Sequence, residues 1–279
     1  MANTEFQRVV LVTGATDGLG LGVAKRLAAE GAAVHIHGRN PEKLAAAASE
    51  IAEESGNEPV GTHLADLSSL QQVRGLAEEI GRDADRLDLL VNNAGIGSGL
   101  PELRTRQESA DGYELRFAVN YLAGFLLTLR LLPLLRHSAP ARIVNVASIG
   151  QAPIDFDDPM IERGYEGKRA YSQSKLAQIS FGFELAERLG DTEVTVNSLH
   201  PSTLMPTKLV IEEYGSSVDT LEEGIEATVK LASAPELEGV TGRFFDRQTE
   251  AEAHPQAYDP EARRQLWDLS VELTGADLD

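Results

Sequence analysis

The stretch over residues 8–30 constrains the fold most. It opens on Val9-Val-Leu-Val-Thr13, a continuous apolar run of the kind a strand needs when a parallel sheet is covered on both faces. The run breaks into Thr13-Gly-Ala-Thr-Asp-Gly-Leu-Gly20, and a helical pattern follows over 21–30, closed by Gly31. Strand, glycine-rich turn and helix in that order predict the first unit of an open α/β sheet. Glycines at 14, 18 and 20 let the backbone turn tightly and approach a pyrophosphate, whose charge the following helix N-terminus favours. The spacing is G-x-x-x-G-x-G rather than G-x-G-x-x-G. Thr16, Asp17 and Leu19 lie in the same turn and join Gly14, Gly18 and Gly20 as candidate nucleotide contacts.

Strand-then-helix order continues down the chain. A second strand over 33–37 runs into Gly38-Arg39-Asn40 and a helix over 41–55. In a dinucleotide fold the end of this strand faces the adenosine ribose, where an acid suits a 2′-hydroxyl and an arginine a 2′-phosphate. Arg39 stands there and no acid does, so NADP(H) is preferred and NAD(H) remains possible. A third strand over 59–64 reaches Asp66-Leu67, with Asp66 placed to accept from an adenine amine and Ser68 expected to cap a helix ending at Gly81. The fourth, over 87–91, ends in Asn92-Asn93-Ala94-Gly95, small residues and amides that let a backbone pass close to a ligand while bridging neighbouring strands. A long helix expected over 109–136 carries Asn120 among Phe117, Val119, Leu122, Phe125 and Leu126, where an amide must find partners or cost stability.

The fifth strand, over 142–146, ends at Ala147-Ser148 and is followed by a polar insertion over 150–169. A sixth over 193–199 ends at His200-Pro201-Ser202-Thr203, and a seventh is expected over 242–246. No repeat, low-complexity stretch or linker divides the 279 residues. The expected fold is one doubly wound Rossmann-like α/β domain, with about seven parallel strands and helices on both faces.

After the insertion comes Tyr171-Ser-Gln-Ser-Lys175. Four residues apart on a helix, a phenol and an ammonium share one face. The ammonium favours the phenolate and pulls the tyrosine below its ordinary pKa of about 10, which makes a candidate general acid/base. Any Tyr and Lys can fall at this spacing, so the pair gains meaning from the strand ends before it. Tyr165 is a rival, because Arg169 also follows it by four, but Gly164 and Gly167 argue against a helix there.

A net charge of −19 disfavours nucleic acid and anionic membranes as partners. Six lysines against nineteen arginines and many acids suit either an acidic mesophilic enzyme or a high-salt cytoplasm. With no cysteine, disulfides, thiolate catalysis and cysteine-ligated metals are excluded, and no metal is expected. The longest apolar stretch, around Leu122 to Leu135, contains Arg130 and Pro133, and the first residues lack a basic-then-apolar leader pattern. The expectation is a cytoplasmic protein with no membrane span.

Thr13-Gly14…Gly18-Leu19-Gly20, Asp66, Asn92-Asn93-Ala94-Gly95, Asn120, Ser148 and Tyr171…Lys175 resemble, in order and structural position, the motifs of the short-chain dehydrogenase/reductase family over nearly the whole chain. Ile154-Asp-Phe-Asp-Asp158, Arg169-Ala-Tyr171-Ser-Gln-Ser-Lys175-Leu-Ala and Leu266-Trp-Asp-Leu-Ser270 are most similar to its retinol dehydrogenase and carbonyl reductase branch. The resemblance implies hydride transfer between a nicotinamide and a carbonyl or alcohol, on an apolar rather than a charged substrate. Tyr171 would act as acid/base, Ser148 would orient the substrate oxygen, Lys175 would lower the pKa of Tyr171 and hold the nicotinamide ribose, and Asn120 would position a water leading to solvent. Asn93, Ala94, Gly95, Pro201 and Thr203 join the cofactor contacts, with Thr207 an alternative to Thr203. Asp17 stands where some NADP(H)-dependent members carry a basic residue. The resemblance also implies a homodimer or homotetramer paired through the helices of Asn120 and Tyr171, and a substrate side built from 96–106, 149–169 and 203–217. Two other readings use the same residues, an epimerase that retains NAD and a non-catalytic NADP(H) sensor.

Overall fold

A computed structural model describes residues 8–97, 105–206, 210–211 and 215–278. Thr207 and parts of segments 96–106 and 203–217 lie outside them. Eight strands form one sheet in the order β3-β2-β1-β4-β5-β6-β7-β8: β1 (Val9–Val12), β2 (Ala33–Gly38), β3 (Gly61–Leu64), β4 (Leu89–Asn92), β5 (Ala141–Val146), β6 (Val194–His200), β7 (Arg243–Asp246) and β8 (Thr249–Ala251). The first seven pair in parallel, and β8 returns antiparallel on β7. Helices α1 (Gly18–Ala29), α2 (Pro41–Ser55) and α6 (Leu221–Ser233) cover one face. The other carries α3 (Leu70–Asp83), α4 (Phe117–His137), α5 (Gly167–Leu189) and α7 (Pro260–Thr274). Both faces are covered, so β2, β4 and β6 are buried along their whole length, including the polar side chains His35, His37, Asn197 and Ser198.

The doubly wound reading holds, with corrections at the edges. An eighth strand exists because Arg247, at φ 54°, closes a two-residue turn between Asp246 and Thr249. No Gly or Asn marks that turn, so nothing in the sequence signalled a hairpin. Helix α1 starts three residues early because the Asp17 carboxylate caps it by accepting from Gly18 N–H at 2.8 Å. Ser69 rather than Ser68 caps α3, and the Ser68 N–H instead closes a turn onto Asp66. The helix expected from Ser109 begins later. Ser109 and Tyr113 form a tight turn through Gly112, at φ 84°, and Glu108 pairs with Glu114 as a β-bridge.

Neither Arg130 nor Pro133 ends α4; both sit on its exposed side. By length and composition its 21 residues could cross a membrane, but Phe117, Leu122, Phe125, Leu126 and Leu135 are packed into the core. Helix α7 lies over α5 and α4. Trp267 meets Phe125 and Phe181 at 5.2 and 6.1 Å between ring centroids, the Arg188 guanidinium lies 4.1 Å over its ring, and Arg263 pairs with Glu184 and Glu187. From Ser172 to Ala186, α5 is buried on all sides within one chain.

Candidate active site

Strand order reverses between β1 and β4, and the turns leaving their C-terminal ends face each other across that switch point. Contact there is so close that only glycine fits. A Cβ on Gly14, already at φ 66°, would lie 2.8 Å from Ala94 Cα, and one on Gly20 would lie 2.3 Å from the Gly14 carbonyl oxygen. Side chains pin the two turns together. Thr13 Oγ1 accepts from the Asn93 and Ala94 N–H groups at 3.0 and 3.1 Å, and Asn93 Nδ2 donates to the Thr13 and Gly14 carbonyls at 2.9 and 3.2 Å. Asn92 Nδ2 donates to Thr128 and Asn145, so both amides bridge strands as their position implied.

Sequence reasoning missed His37, which holds the same turn from beneath. Its Nδ1 accepts from Gly14 N–H at 3.2 Å and its Nε2 donates to the Ala65 carbonyl at 3.0 Å, a division of roles that requires the neutral ring. Burial pushes its pKa down to about 4. Its position in a strand ending beside the glycine turn was the available signal. Beside it, buried His35 Nδ1 and His63 Nε2 lie 2.9 Å apart, and burial with the neighbouring His63 lowers His35 to about 4.

At the adenosine end Arg39 is exposed, and the Thr16 methyl lies where a Cβ on Gly38 would have to go. Asn40 caps α2 by accepting from Lys43 N–H, and the Lys43 ammonium stands 3.8 Å from the Asp17 carboxylate. Asp66 follows β3 with one carboxylate oxygen taken by Ser68 N–H, and Leu67 is buried after it.

The four candidate catalytic residues lie about the β4 and β5 strand ends. Lys175 is buried, and its Nζ donates to the Val146 carbonyl at 2.8 Å and to Gln178 Oε1 at 3.3 Å while lying 5.9 Å from the Tyr171 ring centroid. Burial lowers its pKa to about 8. Gln178, a second residue not anticipated, also donates to the Asn92 carbonyl at 3.4 Å and so ties the lysine to β4. Asn120 sits in a π-helical turn, Phe117–Leu122, at the head of α4; such turns are frequent at functional sites. Its Oδ1 accepts from Ile96 N–H at 2.8 Å, and its Nδ2 donates to the Ile96 carbonyl at 3.1 Å and Ser174 Oγ at 3.0 Å. Ser174 in turn donates to the Tyr171 carbonyl at 2.7 Å. Between them Gly95 passes so near that a Cβ would lie 3.2 Å from Asn120 Oδ1 and 3.6 Å from Lys175 Nζ. Ser148 Oγ, at the end of β5, accepts from Gly150 N–H at 3.0 Å, which leaves its hydrogen to donate to a substrate oxygen.

Tyr165 precedes α5, as its flanking glycines implied, and its phenol is engaged with Glu114 and Arg116 away from the lysine. Arg169 pairs with Asp155 at 2.8 Å. After β6, Pro201 is buried and Thr203 is held by Asp219, its N–H donating to Oδ2 at 2.8 Å. Thr203 Oγ1 accepts from Arg247 at 3.2 Å and lies 3.1 Å from His200 Nε2. The glycine cradle and the narrow passage at Gly95 fit a dinucleotide laid over the switch point.

Comparison with known proteins agrees with this geometry. Residues 8–214 match the family model for short chain dehydrogenases. Human retinol dehydrogenase 14 is 40% identical over 295 residues, covering 96% of this chain and 86% of its own length, and human retinol dehydrogenase 13 is 38% identical with 96% and 85% covered. A crystal structure from Mycobacterium paratuberculosis superposes with a TM-score of 0.80 at 29% identity, covering 98% of this chain and 95% of that one. The NADP complex of Pseudomonas aeruginosa RhlG superposes with a TM-score of 0.71 at 29% identity, covering 87% and 95%. The chain belongs to the short-chain dehydrogenase/reductase family of oxidoreductases, in its retinol dehydrogenase branch.

Proposed function

We propose that this protein is an NADP(H)-dependent oxidoreductase that interconverts an apolar aldehyde or ketone with its alcohol, using Tyr171 as general acid/base. The carrying observation is the buried Lys175 ammonium, held by two neutral acceptors within 6 Å of the Tyr171 ring and beside the glycine passage at Gly95. Gly14, Gly18, Gly20, Asn93, Ala94 and Gly95 would hold the dinucleotide, whose nicotinamide supplies or accepts hydride when bound.

The remaining chemistry belongs to the chain. Ser148 donates its hydroxyl hydrogen to the substrate oxygen and fixes where charge develops. Tyr171 gives that oxygen its proton in reduction and takes it back in oxidation. Lys175 sets a positive charge next to the phenol and stabilises the phenolate left behind, while Asn120 keeps the Gly95-Ile96 backbone in place. Support for NADP(H) comes from Arg39 and from Lys43, which reaches over the glycine turn from the first turn of α2. An apolar substrate is supported by Ile149, half exposed next to Ser148, and by the alcohol named in the retinol dehydrogenase relatives.

The protein is further proposed to act in the cytoplasm. Pairing of two copies would use the outer side of α4 at Arg130, Pro133 and Arg136, because α7 already covers α5; sedimentation tests this. The deciding experiment follows NADPH and NADH oxidation with hexanal, decanal and all-trans-retinaldehyde. NADPH oxidation that depends on the aldehyde is expected, and Tyr171→Phe should lower turnover by about 10³-fold or more with NADPH binding retained. Full turnover in that variant would remove Tyr171 from the mechanism.

A further inference from the structure

Beside the reacting end lies a charged cluster that the proposed chemistry does not use. Arg116 and Glu114 are 0% and 1% exposed, a depth at which an ion pair costs more in lost hydration than a well-packed apolar pair of the same size. Among the described residues, the side-chain partners they have in this cluster belong to segments that shape the site. Arg116 Nε donates to the Gly97 carbonyl at 2.8 Å, its Nη1 donates to the Tyr165 phenol oxygen, and the same nitrogen lies 3.6 Å from Glu114 Oε1. Glu114 Oε1 accepts the Tyr165 hydroxyl at 2.9 Å, and Oε2 accepts from Phe117 N–H at 2.7 Å, at the first residue of the π-helical turn that carries Asn120. Burial, with Glu114 alongside, raises the Tyr165 pKa, so the phenol stays a donor to that carboxylate. Arg106 adds a second tie by donating from Nε to the Met160 carbonyl in the insertion, at 3.1 Å.

Arg116 and Asn120 are four residues apart, and both grip the turn that leaves β4. Asn120 holds both backbone groups of Ile96 and Arg116 holds the carbonyl of Gly97. Tyr165 stands two residues before α5 and six before Tyr171. We infer that Glu114, Arg116 and Tyr165 form a positioning cluster that fixes the Gly95–Gly97 turn against the entry of α5, and so sets the spacing between the Asn120 and Tyr171 sides of the substrate mouth. Tyr165, with its own arginine four residues on, is thus a positioning residue and not a second acid. An apolar core could have filled the space, but only a fork of fixed donors specifies one register among three separate segments.

This inference rests on the proposed carbonyl chemistry for its kinetic consequence, and it has a consequence that needs no activity. Tyr165→Phe removes one oxygen and leaves the ring. Hydrogen–deuterium exchange in that variant is expected to quicken about tenfold at Ile96, Gly97 and the first turn of α5, with α1 and α2 unchanged. The KM for decanal should rise roughly fivefold to tenfold, while kcat and the KM for NADPH stay within about twofold. Glu114→Gln, which keeps an acceptor for Phe117 N–H, should move the same readings in the same direction by less. Unchanged exchange at those positions would overturn the inference whether or not the wild type reduces aldehydes. A lowered Tm with an unaltered KM for decanal would make the cluster structural only, and a fall in kcat as large as that of Tyr171→Phe would make Tyr165 a catalytic acid; either overturns it. Failure of the carbonyl reading itself shows separately, as wild-type protein that oxidises no NADPH with any aldehyde.

Discussion

The two ends of the candidate site are built on opposite electrostatic principles. Around the glycine turn every buried contact is neutral: Thr13, Asn93 and an uncharged His37 hold backbone to backbone, and the charged groups Arg39, Lys43 and Asp17 stay in water. At the proposed reacting end a lysine is buried on two uncharged acceptors, and an arginine–glutamate pair is buried within six residues of Asn120. A cradle needs rigid shape and can leave charge recognition to its rim. An acid/base site needs a field, and a field is strongest where water is excluded.

The sharpest way to break this contrast is to remove the buried cation. Lys175→Met should lower turnover by about 10² to 10⁴-fold, since the phenolate loses its stabilising charge. Tm should hold or rise, because an apolar side chain of similar length replaces a desolvated ammonium. Comparing kcat with thermal unfolding checks both parts, and a large drop in Tm would mean that Lys175 is a structural post.

Acid should strike the neutral end first. His35 and His37 have folded pKa values of about 4, well below the value of about 6.5 expected in the unfolded chain. Between these limits the unfolded chain binds protons that the fold refuses, so stability falls as pH drops from about 6.5 towards 4. For His37 this amounts to up to about 3 kcal/mol at the bottom of that window. Urea unfolding at pH 7 and pH 4.5 should show the loss, and His37→Gln should show less of it. An identical pH slope in the variant would mean that the fold does not hold His37 neutral and that the loss comes from other groups.

Gly14→Ala tests the shape of the cradle. A methyl group there meets Ala94 and forces a left-handed residue, so a loss of about 2 kcal/mol and at least a tenfold rise in the KM for NADPH are expected. Gly75→Ala is the internal control. Nothing lies within 4 Å of its Cβ and it sits inside α3, so that change should stabilise by about 0.5–1 kcal/mol.

These variants also mark where the sequence was legible. The cradle could be read because its demands are local: a glycine at φ 66° and an apolar run ending in it are visible in a dozen residues. The placement of Tyr171, Lys175, Asn120 and Ser148 could be read because each falls at a strand end or on a helix that the alternation predicts. Gln178 and the Arg116 cluster could not, since each gains its partner only through pairing between distant segments, 86 residues apart for Gln178 and Asn92 and 49 for Arg116 and Tyr165, whereas His37 had its place at the end of β2 as a signal. The hairpin at Arg247 was hidden for another reason, a left-handed residue that is neither Gly nor Asn.

The smallest expected effect decides how the rim reads its cofactor. Asp17 would set a negative charge near the 2′-phosphate of the proposed NADP(H), yet Lys43 faces it at 3.8 Å and both side chains are more than half exposed. Exposed charges at this distance interact weakly and are screened by salt, so each is worth about 1 kcal/mol or less to a bound phosphate. Lys43→Glu should therefore raise the KM for NADPH roughly threefold to fivefold while leaving NADH within about twofold, and the gap should close in molar KCl. Asp17→Asn should act in the opposite sense. Asparagine caps a helix as well as aspartate does, so the change removes the charge and keeps the first turn of α1. If Asp17→Asn tightens NADPH and Lys43→Glu loosens it, the rim selects by opposed surface charges, and the neutral cradle beneath contributes affinity without selectivity. If NADH responds as strongly as NADPH, the two residues shape the turn rather than read the phosphate, and Arg39 alone carries the preference.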